Sequence, residues 1–294
     1  MNRITKEREQ VMQRDIIKTL LKNADEGGYA IPAFNYSDIW DFLAIVEAAG
    51  EEHAPVMIAS NPLVVRDIGV DICGAIGVAA MAKAITPLAH HLDHSSDVDL
   101  CKSAIDKGYP SVMIDASKYD LDTNIRMVRE VVDYGHANNV HVEGEIGKIK
   151  GNSIEGKFKG GVFLAEVDEA VKLVDSTNVD SLAVGIGTAH GFYEGRPEIN
   201  FTRLAEINEA ISIPLVLHGG SGIPEEDIKK SIKCGINKVN VGTVIHCTYM
   251  NAMKAELNRN GENPYTLDVV KPVIEEIKAV VKHWIQVCMV DGKA

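Results

Sequence analysis

Residues 85–94 read Ile-Thr-Pro-Leu-Ala-His-His-Leu-Asp-His, an apolar run that ends in three histidines and an aspartate. The run predicts a buried β-strand, so that Asp93 and His94 lie where a loop begins. Histidine can hold a metal ion, and aspartate can move a proton. Two more histidines, His190 and His218, follow later apolar runs, and each precedes a glycine. Three histidines at strand ends indicate a metal-centred active site.

Short apolar runs alternate with segments of helical periodicity along the whole chain. The predicted strands cover residues 30–34, 55–59, 87–92, 111–114, 140–143, 181–185, 214–217 and 238–241. Predicted helices between them include 39–52, 98–107, 124–138, 164–176, 201–211 and 225–234. Eight strands, each followed by a helix, predict an α/β fold, a closed (β/α)8 TIM barrel. An N-terminal helical extension and C-terminal helices complete the prediction.

The alternative architecture is an open, doubly wound parallel sheet. A dinucleotide-binding sheet of that kind carries Gly-x-Gly-x-x-Gly after its first strand, whereas here Asn35-Tyr-Ser-Asp follows. No repeat, low-complexity linker or change of composition divides the chain, so residues 1–294 are predicted to form one domain. The glycine- and lysine-rich segment 148–161 is predicted to be a mobile loop. We expect segment 269–290 to pack on the outside of the barrel or on a neighbouring subunit.

The composition is that of an ordinary globular protein, with 46% hydrophobic and 24% charged residues among 294. A net charge of −12 argues against nucleic acid or a membrane surface as the partner, but a small anionic substrate fits a local pocket. Five scattered cysteines form no Cys-x-x-Cys pair, which predicts reduced thiols. No apolar leader or long apolar run is found, so a cytoplasmic location is expected.

The carboxyl ends of the strands in a parallel barrel carry the chemistry. Polar residues lie at the carboxyl ends of all eight predicted strands: Asn35, Ser60, Asp93 with His94, Asp115, Glu145, His190, His218 and Asn240. Because polar residues commonly begin loops, Asn35, Ser60 or Asp115 taken singly is explained without a function. Three histidines among eight strand ends favour a metal site, since catalytic zinc commonly has three protein ligands and one open position.

His90 and His91 are alternative ligands in the first motif. Strand alternation places His90 on one face with His94, and His91 on the other with Asp93. Asp93 and His94 can still reach one site if the strand ends at that point. This pattern makes His91 the structural residue.

Two glycine-rich segments follow the seventh and eighth strands. His218-Gly-Gly-Ser-Gly-Ile-Pro leads into one helix, and Asn240-Val-Gly-Thr leads into the next. Backbone N–H groups in such turns, together with a helix N-terminus, attract anions, and barrels often bind phosphate at this place. Tight turns alone would explain either segment. Both segments together, beside the third histidine, favour phosphate binding.

Seven segments, in order, resemble the class II, metal-dependent ketose-bisphosphate aldolases, the fructose-bisphosphate and tagatose-bisphosphate aldolase family. They are residues 28–35 (GYAIPAFN), 91–94 (HLDH), 111–115 (SVMID), 142–147 (VEGEIG), 187–191 (GTAHG), 217–222 (LHGGSG) and 238–243 (KVNVGT). The resemblance implies a zinc-dependent lyase that reversibly cleaves a phosphorylated ketose to dihydroxyacetone phosphate and an aldehyde. It also implies a homodimer or homotetramer and, as in some members, a monovalent cation near the phosphate.

The resemblance also implies residue roles. His94, His190 and His218 would hold the catalytic zinc, although such ligands also accept cobalt, manganese or iron(II). Asp115 and Glu145 match carboxylates that can hold a displaced or second metal. The proton carrier at the breaking bond would be Asp93, next to a ligand. Substrate contacts would come from Asn35, Ser60, Gly191, Gly219, Gly220, Ser221, Asn240, Gly242 and Thr243. A divalent cation would stabilise the negative charge left on the carbonyl fragment.

The mobile loop departs from the family pattern. After the glycine at position 147, the family commonly reads Gly-Gly-Gln-Glu-Asp, and that glutamate moves the proton on the enediolate carbon. Here Ser153 stands at its place, and Glu155 is the candidate catalytic base.

A second departure concerns the far phosphate of a bisphosphate substrate. The family carries Asp-Pro-Arg-Lys before the last helix, whereas Leu267 here replaces the arginine and makes no charge-assisted bond. Lys157, Lys159 or Arg66 would have to compensate. Our hypothesis is that the aldehyde half of the substrate differs from glyceraldehyde 3-phosphate.

Two other functions are compatible with parts of this sequence. A metal-dependent barrel hydrolase would use a metal-activated water, but its usual His-x-His on the first strand is missing from residues 30–35. A catalytically altered homologue that only binds a sugar phosphate would explain the two departures. The intact histidine set, with Asp93 beside it, argues against that alternative.

Overall fold

Eight parallel strands form a closed barrel in the computed structural model, which describes residues 3–147, 164–191, 193 and 195–294, with side chains from Arg14 onward. The strands are β1 (Ile31–Asn35), β2 (Val56–Ser60), β3 (Leu88–Ser95), β4 (Ser111–Ile114), β5 (His141–Ile146), β6 (Ser181–Val184), β7 (Leu215–Leu217) and β8 (Ile236–Val241). Each strand pairs with the next one, and β8 pairs with β1. The predicted (β/α)8 TIM barrel is therefore confirmed.

Helices surround the barrel and cover its amino end. They are α1 (Arg3–Gly27), α2 (Ile39–Glu51), α3 (Pro62–Ile68), α4 (Val70–Lys83), α5 (Val98–Asp106), α6 (Leu121–Ala137), α7 (Val167–Thr177), α8 (Phe201–Ala210), α9 (Glu225–Lys233), α10 (Thr243–Asn260) and α11 (Thr266–Val287). The last helix packs against α2 and α10 on the outside of the barrel. None of the described helices is both long and apolar enough to cross a membrane.

Helix α1 is tied to the amino end of the barrel by charge. Arg14 Nη2 and Lys18 Nζ lie 2.7 and 3.0 Å from Asp180 Oδ1, just before β6. Asp180 Oδ2 also accepts a hydrogen bond from the Val142 N–H at 2.9 Å. The N-terminal helical extension therefore closes the end of the barrel opposite the predicted site.

Two separate cores follow from the alternation of side chains along the strands. The larger one lies between the strands and the outer helices. Inside the barrel, a small apolar cluster contains only Met113, Ala183 and Val216 among the described residues. Lys238 and Glu143 are also fully buried there and pair with each other across the interior. The barrel interior is thus strongly polar.

Three strands have bounds that differ from the predicted ones by more than one residue. Strand β3 continues to Ser95 rather than ending at residue 92, and β5 continues to Ile146 rather than ending at 143. Strand β8 begins at Ile236, so Lys238 lies inside the strand and not at its start. The reason is the same in each case, because polar residues within the strand interrupt the apolar pattern. The predicted loop at 148–161 lies outside the described residues.

Candidate active site

Three histidines from three different strand ends converge at the carboxyl end of the barrel. One ring nitrogen from each of His94, His190 and His218 lies within 4.8 Å of the others. His94 Nε2 is 2.7 Å from His218 Nδ1, and the ring centroids of His94 and His190 are 4.6 Å apart. The structure therefore brings the three predicted metal ligands to one point.

A bulge in β3 makes this convergence possible. The pairing of β3 with β4 shifts register between Leu92 and Ser95, and His94 has a φ of 50°. The His94 backbone N–H contacts Met113 Sδ at 3.3 Å instead of continuing the ladder. The predicted end of the strand before Asp93 is therefore wrong. The extra residue of a bulge turns Asp93 and His94 toward the same site within the strand.

Two carboxylates form a second group with His94. One ligand atom from each of His94, Asp115 and Glu145 lies within 4.8 Å of the others. His94 Nδ1 is 3.4 Å from Asp115 Oδ2 and 3.8 Å from Glu145 Oε2. Ser117 Oγ lies between the carboxylates, 2.7 Å from Asp115 Oδ1 and 3.0 Å from Glu145 Oε1. The predicted alternative metal position therefore shares one histidine with the first group.

The electric field at this point favours a positive charge. Burial opposes a charge on His94, but the carboxylates of Asp93, Asp115 and Glu145 outweigh it and raise the pKa of His94 to about 10. Burial and the neighbouring His94 lower the pKa of His190 to about 3, and they lower the pKa of His218 well below its usual value. A divalent transition metal such as zinc would supply this positive charge, with the neutral imidazoles of His190 and His218 and the carboxylates beside it.

Asp93 is held by two amides. Its Oδ2 accepts a hydrogen bond from Asn35 Nδ2 at 2.8 Å, and its Oδ1 accepts one from Asn240 Nδ2 at 3.0 Å. Burial would raise the pKa of Asp93, but His94, His218 and Lys238, together with the Asn35 hydrogen bond, lower it below its usual value. The group is therefore an oriented carboxylate, with the character of a proton acceptor.

A cavity of about 260 Å³ opens beside these groups. It is lined by Asn35, Tyr36, Ser37, Asn61, Leu63, Val64, Asp67, Ile68, Asp93, His94, His190, Gly219, Ser221, Asn240, Gly242, Thr243 and His246. Asn240 Oδ1 is buried and has no hydrogen-bond partner among the described residues, so it is available to a ligand. None of these described lining residues is a lysine or an arginine.

The two glycine segments form one wall of the cavity. Gly219 has a φ of 73°, and a Cβ there would collide with the carbonyl oxygen of Ala189. The Val244 N–H, in the first turn of α10, donates to Ser221 Oγ at 3.2 Å and joins the two segments. Gly191 and Gly220 do not line the cavity, and Gly220 packs behind it against Asn240. Glycine turns and the N-terminus of α10, features that attract anions, thus lie together beside the cavity.

Ser60 was predicted to contact the substrate, but it does not face the cavity. It is fully buried, and its Oγ lies 2.9 Å from the Tyr109 hydroxyl. The tyrosine ring stacks on His90 with centroids 4.0 Å apart, and His90 Nε2 lies 3.2 Å from the Tyr36 hydroxyl. Because Tyr36 lines the cavity, Ser60 and His90 belong to the layer that supports this wall.

Some residues near the site are not identified by any sequence motif. Helix α3 supplies an apolar part of the wall, yet its seven residues are too short a segment for periodicity to identify. Arg66 on this helix is exposed and pairs with Asp67 at 3.2 Å. Leu267 lies in the first turn of α11 and does not line the cavity. Glu155, like the two lysines of its loop, lies outside the described residues.

Comparisons with known proteins agree on one family. A family model described as class II fructose-bisphosphate aldolase matches residues 15–293. A 6-phospho-5-dehydro-2-deoxy-D-gluconate aldolase from Halalkalibacterium halodurans is 38% identical over 281 residues, which cover 95% of this chain and 97% of that protein. The crystal structure of the YdjI aldolase from Escherichia coli K12 matches with a TM-score of 0.82 and 31% identity, over 95% of this chain and 98% of that chain.

A candidate fructose-1,6-bisphosphate aldolase from Coccidioides immitis has a similar structure. The TM-score is 0.85 and the identity 28%, over 94% of this chain and 96% of that chain. The coverage on both sides shows that the likeness extends over the whole barrel and not over a shared motif alone.

Proposed function

The chain belongs to the class II fructose-bisphosphate aldolase family and is a carbon–carbon lyase, and we propose that it reversibly cleaves a ketose phosphate to dihydroxyacetone phosphate and an aldehyde without a phosphate. One observation carries this proposal. Three histidines converge beside the amide-held carboxylate of Asp93 in a cavity that is also lined by the two glycine turns. We infer that this arrangement would provide a metal site, a proton acceptor and a phosphate site within one pocket.

His94, His190 and His218 would hold a divalent metal, which we propose is Zn²⁺. The described side chains fit this group, because neutral imidazoles and nearby carboxylates are its usual donors. Asp115 and Glu145 would hold it in a second position together with His94. The metal supplies Lewis acidity toward the ketone oxygen of the substrate.

Asp93 would take the proton from the hydroxyl on the carbon that becomes the aldehyde. As this carbonyl forms, the C3–C4 bond breaks, and its electron pair stays with the ketone fragment. Asn35 and Asn240 donate to different oxygens of the carboxylate and fix its plane for this transfer. In the direction of synthesis, Asp93 returns the same proton to the new hydroxyl.

The phosphate of the ketone fragment would bind at the wall made by Gly219, Ser221, Gly242 and Thr243. Two features support this position, namely the positive φ of Gly219 and the N-terminus of α10. A monovalent cation near this phosphate is part of the proposal, because some family members use one.

The aldehyde half of the substrate would lack a second phosphate. None of the described cavity-lining residues is a lysine or an arginine, and Leu267 stands where the family arginine is expected. The substrate named for the H. halodurans relative has one phosphate and one carboxylate. A substrate of that constitution would be cleaved to dihydroxyacetone phosphate and 3-oxopropanoate. We propose this aldehyde, or one of similar size, for the present enzyme.

Glu155 would move the proton on the enediolate carbon of the ketone fragment. The proposal rests on its position in the sequence, two residues after the expected place. Exchange of a carbon-bound proton of dihydroxyacetone phosphate in D2O, followed by proton NMR, measures this step without an aldehyde. Glu155→Gln should slow the exchange, and an unchanged exchange rate would exclude Glu155.

A condensation assay tests the proposed function. The enzyme is reconstituted with Zn²⁺ and supplied with dihydroxyacetone phosphate and 3-oxopropanoate, glyceraldehyde or glyceraldehyde 3-phosphate, and the products are identified by mass spectrometry. We expect a new carbon–carbon bond, with preference for an aldehyde that lacks phosphate. Preference for glyceraldehyde 3-phosphate would refute the proposed aldehyde half. Binding of dihydroxyacetone phosphate without exchange or condensation would identify a binding protein, and hydrolysis of the phosphate would favour a hydrolase.

We also propose that the enzyme assembles as a homodimer or homotetramer. The proposal rests on the family, and light scattering on a sizing column measures the mass. A monomeric mass of 31.9 kDa at micromolar concentration would contradict it.

A further inference from the structure

A buried ion pair lies inside the barrel, directly behind one of the three histidines. Lys238 on β8 and Glu143 on β5 have fully buried side chains, and Lys238 Nζ donates to Glu143 Oε2 at 2.8 Å. Taking two charges out of water is costly, and a well-packed apolar pair would often be as stable or more stable. Packing alone therefore does not explain why charged side chains occupy this place.

The second oxygen of Glu143 contacts a metal-site histidine. Glu143 Oε1 lies 2.9 Å from His218 Nε2, and an ionised carboxylate only accepts, so Nε2 carries the hydrogen. The opposite nitrogen, Nδ1, faces two donors, Asn240 Nδ2 at 3.2 Å and His94 Nε2 at 2.7 Å. The contacts on both sides of the ring therefore favour the same tautomer, with the hydrogen on Nε2 and the Nδ1 lone pair directed toward the cavity.

Lys238 is itself held from the other side. Its Nζ lies 3.5 Å from His91 Nε2, which must accept because an ammonium only donates. His91 Nδ1 then donates to Ser111 Oγ at 2.7 Å, and the Ser111 hydroxyl donates to His141 Nδ1 at 3.2 Å. The donors and acceptors along His91, Ser111 and His141 are thus mutually consistent. These three residues orient Lys238, Lys238 orients Glu143, and Glu143 orients the ring of His218.

We propose that Glu143 and Lys238 are positioning residues that select the Nε2–H tautomer of His218 and hold its Nδ1 toward a divalent metal. The inference rests on the proposed metal site, but not on the proposed substrate. Neither residue lines the cavity, so neither can touch a substrate there. Carboxylates that accept from a ligating histidine orient the ring and raise its basicity, and their loss typically weakens metal binding 10- to 100-fold.

Zinc affinity in a set of paired variants tests this role. The pair Glu143→Leu with Lys238→Met replaces both charges by apolar side chains of similar size, so that neither charge is left unpaired. Glu143→Gln with Lys238→Met restores an acceptor oxygen at the same place. Glu130→Leu with Lys102→Met is the matched control, because Lys102 and Glu130 form an exposed pair at 2.7 Å.

The measurement is competition for Zn²⁺ between chelator-stripped protein and a chromophoric chelator. We expect the apolar pair to bind Zn²⁺ about 10- to 100-fold more weakly. The glutamine variant should recover part of this loss, and the exposed control should match the wild type. Thermal melting shows whether each variant is folded. A folded apolar variant with wild-type zinc affinity would overturn the proposal, and so would a wild-type protein that binds no Zn²⁺.

The tautomer of His218 provides an independent measurement. Nitrogen NMR of the metal-free, ¹⁵N-histidine-labelled protein, assigned with His218→Gln, should show the hydrogen on Nε2. In the apolar pair variant, the other tautomer should become populated. A hydrogen on Nδ1 in the wild type would contradict the proposed role. If zinc binding and the tautomer are as expected but no aldol cleavage occurs, the proposed function fails and the positioning role stands.

Discussion

His94 Nε2 and His218 Nδ1 lie 2.7 Å apart, although 124 positions separate the two residues in the chain. One residue sits in the bulge of β3 and the other follows β7, on strands that do not pair with each other. Closure of the barrel brings the two strand ends to one rim. With His190 beside them, the same rim carries Asp93 and the glycine turns, so the proposed metal ligands, proton acceptor and anion site are neighbours.

Removal of metal by a chelator should abolish aldol cleavage. The ketone oxygen would lose its Lewis acid, which is worth several kcal/mol, so the rate should fall by about 10³-fold. A coupled assay for dihydroxyacetone phosphate measures the loss, and added Zn²⁺ should restore the rate. Full activity in protein shown to be metal-free by elemental analysis would contradict the proposed metal site.

Asp93→Ala should stop carbon–carbon cleavage without removing the metal. Loss of a general acid–base group typically costs 10²- to 10⁴-fold in rate. The three histidines remain, so zinc content and affinity should stay close to those of the wild type. Asp99→Ala, an exposed aspartate on α5, is the control. Cleavage at the wild-type rate would show that another group carries the proton.

Gly219→Ala should weaken substrate binding and lower stability. Its φ of 73° is unfavourable for alanine, and the added Cβ would collide with the Ala189 carbonyl oxygen. We expect a higher KM for the ketose phosphate and a loss of about 1–3 kcal/mol in the free energy of unfolding.

Gly261→Ala is the matched control for this substitution, because Gly261 has a φ of 77° but nothing within 4 Å of a Cβ. It should carry the backbone strain without the collision and without the change in KM. Equal effects of the two substitutions, by steady-state kinetics and urea unfolding, would show that contact with Ala189 is unimportant.

Asp180→Asn should destabilise the protein at neutral pH and have less effect in acid. Burial would raise the pKa of Asp180, but hydrogen bonds from His136 and Arg14 help to lower it well below the usual value. A lowered folded-state pKa stabilises the protein above the unfolded-state pKa of about 3.9, and this stability is lost as the pH falls through the folded-state pKa.

The difference in unfolding free energy between wild type and Asp180→Asn should therefore be about 3 kcal/mol at neutral pH. It should shrink as the pH falls below about 4. Urea unfolding at several pH values measures it, with the exposed Asp175→Asn as the control. A difference that stays constant across this range would show that the charge of Asp180 is not the cause.

The barrel was predictable because its determinants are local. Each β-strand contributes a short apolar run, and most of the helices show clear amphipathic periodicity. Helix α4 shows why some elements cannot be predicted in this way, since its alanines and glycines give almost no amphipathic periodicity. In β5 and β8, polar residues hid part of the strand. Glu145 and Asn237 lie inside these strands, although the apolar pattern excludes them from the predicted bounds.

Some residues of the site could likewise be predicted from the sequence, and others could not. The histidines and Asp93 could be proposed from strand ends and from the family resemblance. Ser60 stands at a strand end by the same rule, yet it is buried against Tyr109, because the pleat directs its side chain away from the cavity. The bulge at His94 could not be predicted, since it depends on how β3 meets Met113 of the neighbouring strand.

The order of apolar runs, glycine turns and histidine motifs determined the barrel and the family, because these are properties of short segments. Only the tertiary structure decided which atoms meet. The contact of Glu143 with Lys238 and His218 joins β5 with β8 and with the residue after β7, and it exists only once the cylinder closes. Local sequence determines which residues form each strand, whereas closure of the barrel sets the distances between residues on opposite strands.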